Sequence, residues 1–323
     1  MVKLFFGNRS FALIFLPFIV FMFYVFNIFF GQQKNIEHAF FGFLGDLSRL
    51  NNIFFQILAP ITILINSIML NNLFNRNEFM ENNNFLLSLL YVVAMSFLPS
   101  FYFLDNVLLA QTCLILMLSQ VFKLNQNKDG RKHTFNAFFF FGVACSIYPN
   151  VFLGLPIMFF TVGIFRPFLL REFFLALTGF LLPILYSSLY FFIFKPSKLY
   201  SLIFVSDLPE NSFADILLFA FLLLFFLIGI SKILKKVRSS NIRLKKLFRA
   251  LFFLLLFSFI YWIIEFFVFK STKGLGLVII PLMFIIPYAF GERKVEIGAI
   301  IIYYSFFFLA LGKFFIPIDL LKI

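Results

Sequence analysis

The stretch FALIFLPFIVFMFYVFNIFF, residues 11–30, decides the fold class, because it runs for twenty residues without a charge. A helix of about 20 apolar residues is what roughly 30 Å of hydrocarbon requires. The stretch follows Lys3 and Arg9 as the core of a signal sequence would. It is followed, however, by Gly31-Gln32-Gln33-Lys34 with no A-x-A cleavage pattern, so it reads as a retained anchor.

The rest of the chain extends the same theme. Of its 323 residues, 62% are hydrophobic and 13% charged, with a mean hydropathy of +1.01. Soluble domains carry about 45–50% apolar and about 25% charged residues, so a soluble fold is excluded. Phe accounts for 59 residues. That excess accords with an A/T-rich genome, since Phe, Ile, Lys and Asn are all abundant.

Scanning for further spans predicts an all-α, polytopic transmembrane bundle of about eleven helices. They cover residues 11–30, 53–73, 85–101, 104–122, 135–148, 151–165, 173–194, 213–230, 250–269, 275–290 and 297–311. The two short segments at 135–165 compete with one long helix. The Pro149-Asn150 turn favours a hairpin, because proline lacks an amide donor and disfavours helical geometry in the residue before it.

Charge placement gives the orientation. With the N-terminus inside, 19 of the 27 Lys and Arg residues fall on the inner face, eight of them between Lys232 and Arg249. Positive connections stay cytoplasmic, which predicts N-inside, C-outside in a bacterial inner membrane. This asymmetry also accounts for the net charge of +13 without nucleic acid. The Lys232–Arg249 segment reads either as a topological anchor or as a site for anionic lipid or a pyrophosphate headgroup.

Familiar soluble chemistry is missing. The cysteines, Cys113 and Cys145, sit in apolar runs, and His38 and His133 lie far apart. There is no CxxC or HExxH metal motif and no phosphate-binding glycine loop. The polar residues that remain are few. Glu265 is the one charge inside an apolar span, about a turn short of its outer end, where it serves either as a rim carboxylate or as part of a proton path. Asn52, Gln56 and Asn66 form a sparse amide seam suited to helix packing or a polar lining. Acids gather in the expected outer loops: Glu37 and Asp46 beside His38, then Asp105, then Asp207, Glu210 and Asp215. Carboxylates on one aqueous rim suit a divalent cation or a base toward a hydroxyl, though acids also collect outside simply because bases are kept inside.

From 84 to 183 the order of features resembles the membrane module of the GT-C glycosyltransferase superfamily. A span ends at Pro99, an outer turn leads to Asp105, and a second span reaches the basic loop 123–132. Then come Gly142, the Tyr148-Pro149 turn, Pro156, and a stretch holding Gly179 and Pro183. A more specific likeness is to a polytopic inner-membrane family of Bacteroidota that carries no assigned activity. It rests on PNVFLGLPIMFFTVGIFRPFLLREFF, residues 149–174, and on LPSFYFLDNVLLA, residues 98–110.

The GT-C resemblance implies one integral domain over 1–323, with residues 11–194 as the GT-C-like module and 195–323 as C-terminal transmembrane helices. It implies transfer of a polyprenyl-phosphate-linked sugar at the outer face for envelope glycan assembly. Asp46 or Glu37 would be the first catalytic acid and Asp105 the second, with a divalent cation as cofactor. The chain departs from the pattern in having Gly31-Gln32-Gln33-Lys34 where an acid pair commonly follows the first span, and no soluble acceptor-binding domain follows. Two other classes stay open. One is a non-catalytic scaffold or accessory subunit whose partners are membrane lipids and other membrane proteins. The other is a transporter or lipid flippase, to which Pro281 and Pro287 lend support as breaks in a span.

Overall fold

Long apolar runs have only one way to satisfy their backbone in lipid without a partner strand, and that is to bond along themselves as helices. The computed structural model describes residues 1–7, 11–30, 52–124, 129–166, 170–194, 213–269, 273–291 and 296–315. All regular structure among them is helical: α1 (Val2–Phe6), α2 (Phe11–Phe30), α3 (Asn52–Arg76), α4 (Leu86–Met95), α5 (Asn106–Leu124), α6 (Arg131–Ile147), α7 (Leu155–Phe165), α8 (Leu170–Phe194), α9 (Phe213–Ser239), α10 (Ile242–Ile264), α11 (Leu275–Leu282) and α12 (Ile297–Gly312). Six of these, α2, α3, α5, α8, α9 and α10, are long and apolar enough to cross a membrane. The chain is therefore a multi-pass helical membrane protein.

Of the other expected spans, those at 85–101, 151–165 and 275–290 form helices shorter than the apolar runs that announced them, whereas α6 and α12 cover theirs to within a residue. The run 85–101 forms a helix of only 10 residues, α4, followed by a 3-10 turn at Pro99–Phe101, where proline has no amide to continue the ladder. The run 275–290 divides into α11 and a 3-10 segment, Ile286–Phe290. Pro281 and Pro287 each remove one bond from the ladder, and Gly291 leaves the segment with a φ of 92°. In the opposite sense, the basic segment expected as a loop at 232–249 is mostly helix. α9 continues to Ser239 and α10 begins at Ile242, so only the Ser240-Asn241 turn separates them. Lys, Arg and Leu are good helix formers, and polarity alone did not end these helices.

The hairpin expected at 135–165 is present. α6 ends at Ile147, a 3-10 segment runs from Pro149 to Gly154, and α7 returns. The Arg166 guanidinium at the end of α7 lies against Gly130 at the start of α6, and Phe138 and Phe159 meet at 4.7 Å between ring centres. Arg166 also pairs with Glu172 at the start of α8 at 3.1 Å.

α6 packs most closely against α5 and α8. Two glycines let α6 and α8 touch backbone to backbone. A Cβ on Gly142 of α6 would stand 2.5 Å from the Phe180 carbonyl oxygen, and one on Gly179 of α8 would stand 2.7 Å from that of Phe135. Small residues at such crossings are how membrane helices gain dispersion contact when lipid supplies no hydrophobic drive.

At the centre lie α4 and the broken segment 274–290. Every residue of both is buried. Around them α2, α3, α8, α9, α10 and α12 turn large apolar side chains outward, Phe29, Phe192, Leu256 and Phe308 among them.

Candidate functional site

Asp105 is the one acid among the three proposed catalytic residues that lies in the described structure. Glu37 and Asp46 lie outside the described residues, as do His38, Asp207, Glu210 and the side chain of Asp215.

Asp105 sits one residue before α5 and acts as its N-cap. Its Oδ1 accepts the amide of Leu108 at 2.8 Å, and its Oδ2 accepts the Ser100 hydroxyl at 2.6 Å. Capping carboxylates satisfy helix amides that would otherwise be left without an acceptor. Half-buried between the Pro99–Phe101 turn and α5, Asp105 also feels the positive charge of Lys273, just before α11. In this arrangement both carboxylate oxygens are engaged. Each oxygen keeps a second lone pair, so Asp105 can hold the start of α5 and still accept a further proton or hydrogen bond.

Beyond Lys273 lies a second acid. Glu265, at the end of α10, is fully buried, and Tyr148 donates its hydroxyl to Oε1. Tyr148 belongs to the turn after α6, so this bond ties α6 to α10. The hydroxyl of Tyr261, one turn before Glu265, lies near both but outside good hydrogen-bond geometry. Gly274 packs directly on the carboxylate and on the Tyr261 ring, and any side chain there would collide with both. The helix also widens at this point into a π-helical turn, Glu265–Phe269. Sequence reasoning placed Glu265 near a rim, free to reach headgroups. The structure instead encloses it and gives it a phenol, because burying a carboxylate without a donor costs several kcal/mol, by order of magnitude. The signal was present in the sequence as the Tyr148-Pro149 turn, but nothing in a single sequence joins residues 148 and 265.

The amide seam resolves as packing. Asn66 on α3 is buried and faces the Tyr91 hydroxyl at 3.5 Å. Tyr91 on α4 donates to Gln111 Oε1 on α5 at 2.8 Å, and Gln111 Nε2 donates to the Gly276 carbonyl of α11 at 2.6 Å. Four helices are thus stitched through one amide that sequence reasoning passed over. Gln56 is only partly buried, and the Asn52 side chain lies outside the described residues.

The end of the bundle opposite Asp105 is basic and pinned. Lys232 reaches the Ala289 carbonyl at 2.9 Å and Glu296 at 2.6 Å, Lys236 meets Glu81 at 3.4 Å, and Arg243 meets Asn77 at 3.5 Å. An open cavity of about 870 Å³ lies here, lined by Glu78, Glu81, Asn82, Asn83 and Lys236 among others. His133, at the start of α6, accepts or donates through Nδ1 to Gln120 at 2.9 Å. Its pKa lies below the usual histidine range, from partial burial first and then from Lys123, Lys132 and Arg166.

Among the described residues no group of three His, Cys, Asp or Glu side chains is placed to hold a metal ion. Compared with known proteins, the chain matches no family model, no curated protein and no solved structure.

Proposed function

We propose that the chain is a bacterial inner-membrane protein crossing the bilayer eleven times, N-terminus inside, and that it acts as a GT-C-like transferase. In this reading residues 11–194 form the GT-C-like module. The donor is a polyprenyl-phosphate-linked sugar used at the outer face for envelope glycan assembly, and the likeness to the Bacteroidota membrane family belongs with it. The eleven crossings add α4, α6, α7, the broken segment 275–290 and α12 to the six long helices. The orientation is supported by the pinned basic end at Lys232–Arg249 and by Lys313, which follows α12 and donates to the Ser96 carbonyl, beyond the end of α4 and near the Asp105 turn.

The observation that carries the reading is the charge-bearing rim at one end of the bundle, where neighbouring helix ends hold Asp105, Lys273 and the Glu265–Tyr148 pair. A carboxylate there deprotonates an acceptor hydroxyl, and a cation stabilises the leaving phosphate. Asp46 or Glu37 supplies the first acid and Asp105 the second, and these carboxylates would hold a divalent cation that neutralises the leaving phosphate. The test is to substitute Asp46→Asn, Glu37→Gln and Asp105→Asn in the native host and profile envelope glycolipids. The expected outcome is loss of a glycolipid with accumulation of its lipid-linked donor.

One observation favours a second reading, a non-catalytic scaffold or accessory subunit. Asp105 is used structurally, one oxygen capping α5 and the other accepting the Ser100 hydroxyl, and the broken segment 275–290 is enclosed by side chains instead of lining a passage. The same enclosure weighs against the transporter. A glycolipid profile unchanged in all three variants, beside a defect in the full deletion, selects the scaffold.

A further inference from the structure

The cations of the α9–α10 hairpin divide by the face they occupy. Lys232, Lys236 and Arg243 point into the bundle, where each has a protein acceptor: Ala289 and Glu296, Glu81, and Asn77. Lys246 is half-buried with no carboxylate or carbonyl partner among the described residues, and Lys235, Arg238, Lys245 and Arg249 are exposed, also with none.

These four are not scattered. Along α10 and the π-helical turn that follows it the exposed positions are 242, 245, 249, 253, 256, 260, 263 and 267, one stripe at three- and four-residue spacings. From Phe253 onward the stripe is Phe253, Leu256, Ile260, Ile263 and Phe267, an apolar face of a helix long enough to span the bilayer. Fourteen residues separate its ends, about 21 Å at about 1.5 Å per residue. Lys245 and Arg249 lie on the same stripe, about two turns and one turn before Phe253 respectively. α9 mirrors this in reverse: Leu224, Leu227, Ser231 and Leu234 are exposed in sequence, and Lys235 and Arg238 close the row. A face that is apolar along the hydrocarbon and cationic at one end places its cations at headgroup depth, with long side chains free to reach outward.

We propose that Lys235, Arg238, Lys245 and Arg249 form a binding surface for anionic phospholipid headgroups in the leaflet at that end of the bundle. The partition of partners carries the inference. Where the fold needed a cation neutralised it supplied an acceptor, and on the two lipid-facing rows it supplied none. Polybasic segments beside a membrane helix attract anionic headgroups through such charge complementarity. The proposal rests on the multi-pass fold and not on the transferase reading, so either can fail without the other.

The test uses the full chain reconstituted in bilayers of phosphatidylcholine with a minority of phosphatidylglycerol, with spin-labelled analogues of the two lipids reporting which one is held at the protein surface. The wild type should hold phosphatidylglycerol over phosphatidylcholine by about threefold to fivefold, the scale expected from one cation at the headgroup level. The combined variant Lys235→Gln, Arg238→Gln, Lys245→Gln, Arg249→Gln should hold the two equally. The inward pair Lys232→Gln, Lys236→Gln should keep the preference. Should the fourfold variant fail to fold, the pair Lys235→Gln, Arg238→Gln should show a preference between wild type and none. Equal association of both lipids with the wild type overturns the proposal, and so does an undiminished preference in the fourfold or the paired variant.

Discussion

The centre and the perimeter of this bundle obey different rules, although their sequences are equally apolar. α4 has 10 residues and α11 has 8, about 15 Å and 12 Å at about 1.5 Å per residue, and neither reaches across a hydrocarbon core alone. α8 and α10 have 25 and 23 residues and present one apolar stripe outward. A helix facing lipid must complete its own hydrogen bonds for the full thickness, whereas one enclosed by protein can stop, turn or break, because neighbours shield the freed backbone groups. Pro281 and Pro287 interrupt the enclosed segment, whereas Pro17, Pro60 and Pro183 lie inside perimeter helices that continue past them for the full length. The difference teaches that hydropathy reports what lies inside the membrane, while length and interruption report who the neighbours are.

The largest expected effect comes from opposing one phenylalanine from each region. Phe284 is fully buried in the broken segment and meets the rings of Phe74, Phe79 and Phe122 with centroids 5.3 to 6.2 Å apart. Phe284→Ala leaves a cavity that rigid helices cannot close, and should cost about 3–5 kcal/mol. Phe253 is 48% exposed on the lipid-facing stripe. There lipid replaces the missing ring, so Phe253→Ala should stay within about 0.5 kcal/mol. Reversible unfolding in mixed micelles measures both, and equal costs would break the distinction between centre and perimeter. Next in size is Gly142→Ala at the α6–α8 crossing, where the new methyl meets the Phe180 carbonyl. It should destabilise by about 1–3 kcal/mol by forcing the helices apart. Gly312→Ala, with nothing within 4 Å, should be silent in the same measurement.

Much of this arrangement was legible in the sequence, and the boundary of legibility is physical. The six long helices were visible because twenty apolar residues have few other uses, and the turn at Pro149 because Tyr148-Pro149-Asn150 combines a missing amide donor with a disfavoured helical geometry before it, although α2, α3 and α8 run through Pro17, Pro60 and Pro183. The extent of α9 and α10 was misjudged because Lys and Arg signal water to a hydropathy reading and helix to the backbone, and at a membrane boundary both hold. The polar site was harder to see. Asp105 was found by its place after Pro99, but its engagement as a cap depends on Ser100 and on the amide of Leu108, which spacing alone did not distinguish from an open carboxylate. Glu265 was noticed, yet its partner Tyr148 is 117 residues away. No local pattern encodes which helix ends become neighbours.

The smallest effect sharpens the comparison furthest, because it asks how polar groups behave in the two regions. On the perimeter, hydroxyls return to their own helix: Ser188 donates to the Leu185 carbonyl at 3.0 Å and Ser305 to Ile302 at 2.8 Å, both exposed. At the centre the serines Ser88 and Ser96 do the same, to Phe85 and Val93, but the longer polar side chains cross between helices, in the line from Asn66 through Tyr91 and Gln111 to Gly276. Gln111→Leu keeps the volume near constant but removes the acceptor for Tyr91 and the donor for the Gly276 carbonyl, both buried. Interhelical hydrogen bonds in membranes average about 0.6 kcal/mol and reach about 1.7. Losing two linked bonds should therefore cost about 1–2 kcal/mol, against a change near zero for Ser188→Ala. Tyr91→Phe separates the contributions: it removes the donor to Gln111 while leaving the Gln111–Gly276 bond, so it should account for about half of the loss. If Tyr91→Phe alone matches Gln111→Leu, the line is held at Tyr91 and the tie to the broken segment contributes little. If neither substitution registers, the centre is held by packing alone, and its polar stitching sets which helices meet without adding to how tightly they hold.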